Sequence, residues 1–171
     1  MSDSESKCSE RFQNYKKLMK ADPKELYLYW DEIVKKLRGS DYHHKFHGID
    51  LLARLASVDR DNRFPEIIDY YIGLLDSDKF TLSMHVAQNL GKIAKAKPAL
   101  RPKITKALLS TKNTKHKHPS LLMSGAVISF MEYYEEVKNK KLIIKFVKNL
   151  VNSDSPKARK KAQEFLSKYS L

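Results

Sequence analysis

Apolar residues recur every three or four positions along most of the chain, which is the spacing of helices that bury one face. The residues between 1 and 7 lack this pattern and are expected to form a flexible N-terminus. The remainder, 8–171, is expected to be one all-α domain. The pattern predicts helices at about residues 8–20, 23–38, 41–57, 64–75, 79–96, 99–110, 119–137, 139–151 and 156–169.

Polar residues and prolines mark where several of these helices should begin. Asp22-Pro23 and Ser155-Pro156 each combine an N-cap side chain with proline at the first helical position. Asp78 is expected to cap the helix that starts near Lys79. With these boundaries the helices fall into four antiparallel pairs, at about 23–57, 64–96, 99–137 and 139–169.

The helix pairs repeat with a period of 38 residues. The segment SDKFTLSMHVAQNLGKIAK, residues 77–95, can be aligned with the chain 38 residues earlier or later. The earlier alignment pairs His85 with His47 and Leu90 with Leu52, and the later one pairs Leu90 with Ile128. A shift of 76 places Leu90 on Leu166. Small residues also share one register, which predicts close approach of neighbouring helices at Ala53, Gly91, Ser129 and Ser167. A unit of two helices and about 40 residues is typical of an α-solenoid.

The second helix of the unit resembles that of the HEAT-repeat family. It has Asp78 at the capping position, Leu82 at an apolar position, the small pair Val86-Ala87, and Leu90-Gly91. The fourth copy has Ala158-Arg159, Ala162 and Leu166-Ser167 at these positions. The resemblance covers about residues 22–170. It implies a right-handed α-α superhelix of about four HEAT-like helix pairs, with the N-terminal helix capping the open end.

Positive charge is concentrated in the later part of the chain. The protein has 171 residues and a formal net charge of +13, of which residues 1–60 contribute +2 and residues 61–171 contribute +11. No acidic residue lies between Asp78 and Glu132, whereas ten Lys or Arg do. The segment 138–161 has nine Lys or Arg and one carboxylate, Asp154. Such a distribution attracts polyanions or acidic proteins.

The sequence gives little indication of enzymatic chemistry. The single cysteine, Cys8, allows no intramolecular disulfide, and the N-terminus has no signal peptide, so a cytoplasmic location is expected. His43 and His47 share a helix face, but no glutamate follows His43 as it would in a zinc-binding HExxH motif. Glycine-rich phosphate-binding loops are also absent. We therefore expect no metal, no cofactor and no membrane segment.

The resemblance implies that the second helices line a concave surface, and this surface supplies the candidate binding residues. Its predicted basic residues are Arg54, Lys92, Lys95, Lys160, Lys161 and Lys168, extended by the loop residues Lys112, Lys115 and Lys117. Its predicted groove residues are His47, His85, Gln88, Met123 and Phe130.

Three functions are compatible with such a surface. The favoured interpretation is a non-enzymatic scaffold that binds an acidic protein partner. The alternative is sequence-independent binding of DNA or RNA through phosphates. A third is a DNA-glycosylase-like activity, since some HEAT-like proteins are glycosylases that use a Trp side chain. Here the only tryptophan, Trp30, falls on an apolar helix register and is expected in the core.

Overall fold

The computed structural model describes residues 17–171, and within this range every regular element is a helix. The predicted flexible segment 1–7 and residues 8–16 of the predicted N-terminal helix lie outside the described residues. Residues 17–20 are helical. The α-helices that follow are α1 Pro23–Leu26, α2 Trp30–Arg38, α3 Tyr42–Leu55, α4 Ile68–Gly73, α5 Phe80–Ala96, α6 Arg101–Ser110, α7 Pro119–Tyr133, α8 Lys141–Lys148 and α9 Pro156–Lys168.

Short 3-10 segments connect or extend these helices. They lie at Tyr27–Tyr29, Ala56–Val58, Phe64–Glu66, Leu74–Asp76, Pro98–Leu100, Thr111–Asn113 and Tyr134–Glu136. The predicted all-α class is therefore confirmed for the described residues. The predicted helix limits differ from the observed ones by only a few residues once these 3-10 turns are included.

The helices form two layers. The first helix of each pair packs against the second: α2 on α3, α4 on α5, α6 on α7 and α8 on α9. The second helices also contact one another in chain order, α3 to α5, α5 to α7 and α7 to α9. We call α3, α5, α7 and α9 the inner layer and α2, α4, α6 and α8 the outer layer.

Local capping explains several helix starts. The Asp22 side chain accepts a hydrogen bond from the Lys24 backbone N–H at 2.8 Å, and the Ser155 hydroxyl accepts one from Ala158 at 3.3 Å. Both predicted caps are thus confirmed. The predicted cap at Asp78 is wrong, because α5 begins one residue later than expected, at Phe80, and its N-cap residue Lys79 makes no side-chain capping bond.

Helices α5 and α7 approach so closely that one position admits only glycine. A Cβ atom on Gly91 would lie 2.3 Å from the backbone oxygen of Ser129 and 2.5 Å from its Cα. The Ser129 hydroxyl accepts a hydrogen bond from the Gly91 N–H at 2.7 Å and donates one to the Ala87 carbonyl at 2.6 Å. The predicted close contact between small residues 38 positions apart is confirmed at this pair.

The hydrophobic core extends into the first helix pair, α2 and α3. Trp30 is only 2 % exposed and meets Phe64 edge to face, with ring centroids 5.1 Å apart. The expected core position of Trp30 is therefore confirmed. Leu18 and Met19, from the turn before α1, pack against the same core.

Candidate binding groove

A shallow groove of about 440 Å³ lies where α3, α5 and α7 meet. Three of the predicted basic residues line it, namely Arg54 from α3 and Lys92 and Lys95 from α5. Because Lys92 and Lys95 are three residues apart on one helix, their side chains leave the same face of α5. We call this feature the basic groove. Its remaining lining residues are Pro23, Ala53, Ser57, Ala96 and Glu132.

The three cations of the basic groove differ in their availability. The Arg54 guanidinium donates to the backbone oxygens of Leu18 and Ala21 at 3.0 and 3.1 Å. These carbonyls end the helical turn before α1, where carbonyls run out of partners within the helix; the Leu18 oxygen also accepts a hydrogen bond from the Ala21 N–H at 3.2 Å. Arg54 therefore holds this segment onto α3. Lys92 donates one hydrogen bond to the Asn89 side chain at 2.8 Å and stays exposed, as does Lys95.

A polar network links the inner-layer helices next to the basic groove. One oxygen of Asp50 accepts a hydrogen bond from the Asn89 side chain at 2.7 Å and lies 3.2 Å from Nδ1 of His85. The His85 ring also packs on Phe46, with centroids 4.0 Å apart. His85 is therefore held between a carboxylate and an aromatic ring. Its side chain is 27 % exposed, so it forms part of the wall of the inner surface.

His47 does not line the basic groove. It lines a second depression, of about 510 Å³, together with residues of α2 and the turn before α1. Burial lowers the pKa of His47 below its usual 6.5, and the neighbouring His43 lowers it further, whereas Asp50 opposes the shift. The repeat period correctly pairs His47 with His85 in sequence, but their surroundings differ.

Two predicted groove residues are wrong. Met123 is 8 % exposed and Phe130 is fully buried, so neither reaches the inner surface. Helix α7 is apolar on nearly all sides because α5, α6 and α9 all pack against it. The α7 residue that lines the basic groove is Glu132. Gln88 is partly exposed on α5 but is not among the residues that line the basic groove.

The predicted basic residues of α9 do not join the groove lining. Lys161 pairs with Glu164 on its own helix at 2.5 Å. Lys168 reaches the Met131 carbonyl at 3.5 Å and lies over the Tyr169 ring. Lys160 is exposed. The three lysines are thus on the inner layer, but none of them lines the basic groove.

The loop lysines are held at the opposite end of α5. His116 contacts the buried hydroxyl of Ser83 at 3.0 Å and meets Phe80 edge to face, which fixes the loop 111–118 to the start of α5. Ser83 and Lys95 are separated along the helix by about 18 Å. The exposed loop lysines therefore form a separate group, at Lys112, Lys115 and Lys117.

Two polar residues of the network next to the basic groove, Asn89 and Asp50, are not among the residues predicted from the sequence. Asn89 lies among buried apolar residues and is only 5 % exposed, and Asp50 lies 39 residues before it, one more than the repeat period. A polar residue at an apolar position of the helix, with a carboxylate about one period earlier, is the sequence pattern that could have predicted this hydrogen bond. Glu132 was not predicted because the 38-residue period places Phe130, and not Glu132, at the position equivalent to Lys92.

The described part of the chain offers no cluster of three or more His, Cys, Asp or Glu side chains that could hold a metal ion. Within residues 17–171, no helix is long and apolar enough to span a membrane. No protein-family model, no curated protein and no solved structure matches the chain.

Proposed function

We propose that the protein is a non-enzymatic, HEAT-like interaction scaffold of the cytoplasm whose basic groove binds an acidic segment of a partner protein. The contacts of the inner helices in chain order support a superhelical stack, since such contacts between neighbouring units build a solenoid. The resemblance of residues 77–95 to a HEAT second helix supports the same class.

The observation that carries the proposal is the pairing of two exposed lysines with an apolar floor. Lys92 and Lys95 border a groove lined by Ala53, Ala96 and Pro23. An acidic segment with apolar side chains would place carboxylates on the lysines and bury its apolar groups on this floor. Such complementary patches are common at protein interfaces.

Carboxylates on the inner layer favour a protein partner over a phosphate backbone. Glu132 lines the groove itself, whereas Asp50, which pairs with His85, and Glu164, which pairs with Lys161, lie outside the groove lining. Evenly spaced phosphates would meet repulsion at these residues, whereas a protein can match a mixed surface residue by residue. For this reason we place the acidic-protein function ahead of nucleic-acid binding in the groove. The burial of Trp30 gives no support to a glycosylase function.

The test is a titration with a labelled peptide of Glu with interspersed Leu, followed by fluorescence anisotropy. A peptide with Gln in place of each Glu is the control ligand. The double variant Lys92→Gln/Lys95→Gln should bind the acidic peptide about twofold to thirtyfold more weakly, since two exposed charge contacts are each worth about 0.2–1 kcal/mol.

The matched control protein is Lys112→Gln/Lys115→Gln, which removes the same charge from the exposed loop. It should bind the acidic peptide as the wild type does. Equal binding of the acidic and Gln peptides, or equal loss in the two variants, would show that the basic groove is not the binding site. Arg54 is unsuitable for the test because it holds Leu18 and Ala21 in place.

A further inference from the structure

The exposed side of α8 has an uninterrupted row of lysines that the groove does not use. Lys141, Lys145 and Lys148 are spaced by four and three residues, so they share one face of the helix. Lys138 precedes them by three residues, and all four side chains are exposed. We call these four residues the lysine row. It lies in the outer layer, whereas the basic groove lies on the inner one.

Among the residues that the structure describes, the lysine row has no carboxylate within ion-pair distance. Within the described residues 17–171, none of its four side chains takes part in an ion pair. The two carboxylates that directly precede the row are already engaged, because Glu135 pairs with Lys140 at 3.4 Å and Glu136 pairs with Arg101.

The neighbouring outer helices behave differently. The segment 64–78, which contains α4, has four carboxylates and no Lys or Arg. One of these carboxylates, Asp69, pairs with Lys103 of α6 at 2.8 Å. Arg101 and Lys103 of α6 are thus each paired with a carboxylate, whereas no lysine of α8 pairs with one in the described part of the chain. A row of uncompensated like charges repels itself, and a polyanion relieves that repulsion.

The apolar face of α8 is already occupied by the core. Ile143 and Val147 are fully buried and Phe146 is 4 % exposed, so none of them could enter a bilayer without unfolding this helix pair. Leu142, at 60 % exposure, is the one large apolar side chain that α8 presents to solvent. Amphipathic helices bind membranes through a whole apolar face. The exposed side chains of α8, which are mostly lysines, are therefore suited to bind phosphates rather than lipid chains.

We propose that the lysine row binds the phosphate backbone of nucleic acid, independently of the basic groove and of its protein partner. From Lys141 to Lys148 the helix extends about 10 Å at the helical rise, and Lys138 lies in the bend before it. One strand of a duplex presents a phosphate about every 3.4 Å along its axis, so this length matches about four phosphates. Lysine ammonium groups contact phosphates as point charges, and such contacts do not read sequence.

The test measures binding of a labelled DNA duplex by anisotropy at about 50 and about 200 mM salt. Four phosphate contacts predict that the affinity of the wild type falls about 150-fold between these concentrations. The variant Lys141→Gln/Lys145→Gln retains two contacts, so its affinity should fall only about 12-fold. Both substitutions are at exposed positions, and circular dichroism melting curves will verify that the variant is folded.

The matched control is Lys92→Gln/Lys95→Gln, which removes the same charge from the basic groove. It should keep the salt dependence of the wild type. Equal changes in both variants would mean that net charge alone attracts DNA, and would overturn the proposal. Two other results would overturn the proposal: the absence of DNA binding at about 50 mM salt, and binding to vesicles of phosphatidylcholine and phosphatidylserine but not to DNA. Because the acidic-peptide titration uses a different ligand, each proposal can fail while the other stands.

Discussion

Replacing Asp59 with asparagine should destabilise the fold strongly. The Asp59 side chain is fully buried and lies 2.7 Å from the Lys97 ammonium. It also accepts hydrogen bonds from the Tyr27 hydroxyl at 2.9 Å and from the backbone N–H groups of Arg63 and Phe64 at 2.8 and 3.2 Å. The carboxylate thus joins the first helix pair, the loop before α4 and the end of α5.

The size of the stability loss follows from the interactions that asparagine cannot replace. Its side-chain oxygen can accept some of these hydrogen bonds, but the Lys97 ammonium, whose side chain is 14 % exposed, loses its counter-charge. Breaking a buried ion pair on one side costs about 3–5 kcal/mol. For a chain of this length, this loss corresponds to a melting temperature lowered by roughly 6–20 °C. A loss of this size is a large fraction of the free energy of unfolding of a typical domain.

An exposed ion pair provides the matched control. Asp69 is 79 % exposed and pairs with Lys103, which is 50 % exposed, at 2.8 Å. Asp69→Asn removes the same charge in the same way, yet should cost only about 0–1 kcal/mol. The assay is urea unfolding followed by far-UV circular dichroism at neutral pH. If the free energies of unfolding of the two variants agree to within about 1 kcal/mol, the burial argument is refuted.

Acidification gives an independent reading of the same site. Burial raises the pKa of Asp59, but the hydrogen bonds from Lys97, Arg63 and Phe64 together outweigh burial and lower the pKa below its ordinary 3.8. Because the folded-state pKa is the lower one, the carboxylate stabilises the fold above about pH 4. That contribution is lost as the pH falls through the folded-state pKa. The stability difference between wild type and Asp59→Asn should therefore shrink below about pH 4.

Two further predictions concern helix packing and histidine ionisation. Gly91→Ala should cost about 1–3 kcal/mol or more, because the new Cβ would strike the Ser129 backbone and force α5 and α7 apart. Gly73→Ala, whose Cβ would meet nothing within 4 Å, should instead stabilise by about 0.5–1 kcal/mol; equal thermal shifts for the two variants would contradict this reasoning. For His47, an NMR titration should give a pKa below 6.5, since burial and His43 both oppose protonation. The unfolded chain then binds this proton more readily, so stability should decline as the pH falls through 6.5, and a measured pKa of 6.5 or higher would disprove this prediction.

The helices could be predicted from the sequence because their signals are local. Apolar spacing defines each buried face, and Asp22-Pro23 and Ser155-Pro156 mark helix starts within a few residues of chain. The contact between Gly91 and Ser129 was also predictable, since both are small and lie one period apart. Asp78 failed as a cap because the choice between neighbouring cap positions depends on backbone angles that the residue type leaves open.

The groove was only partly predictable from the sequence. The repeat period shows which residues occupy equivalent positions along their helices, but it does not show which neighbouring helices bury those residues. Phe130 lies 38 residues after Lys92, as the register requires, yet it is buried whereas Lys92 is exposed. The close approach at Gly91 brings α7 against α5, and α6 and α9 cover its other sides. Glu132, two residues further along, consequently reaches the groove. Exposure is thus decided by the neighbours of each helix.

The distribution of charge illustrates the same limit and separates the two proposed surfaces. The sequence shows that residues 61–171 hold +11 of the +13 net charge, but it does not assign that charge to a face. In the structure, the inner layer mixes its lysines with Asp50, Glu132 and Glu164, whereas the α8 face has lysines alone. A mixed surface favours a protein, which can match charges of both signs. An unpaired row favours a ligand with one repeated charge, so the two surfaces should bind different partners and respond to salt differently.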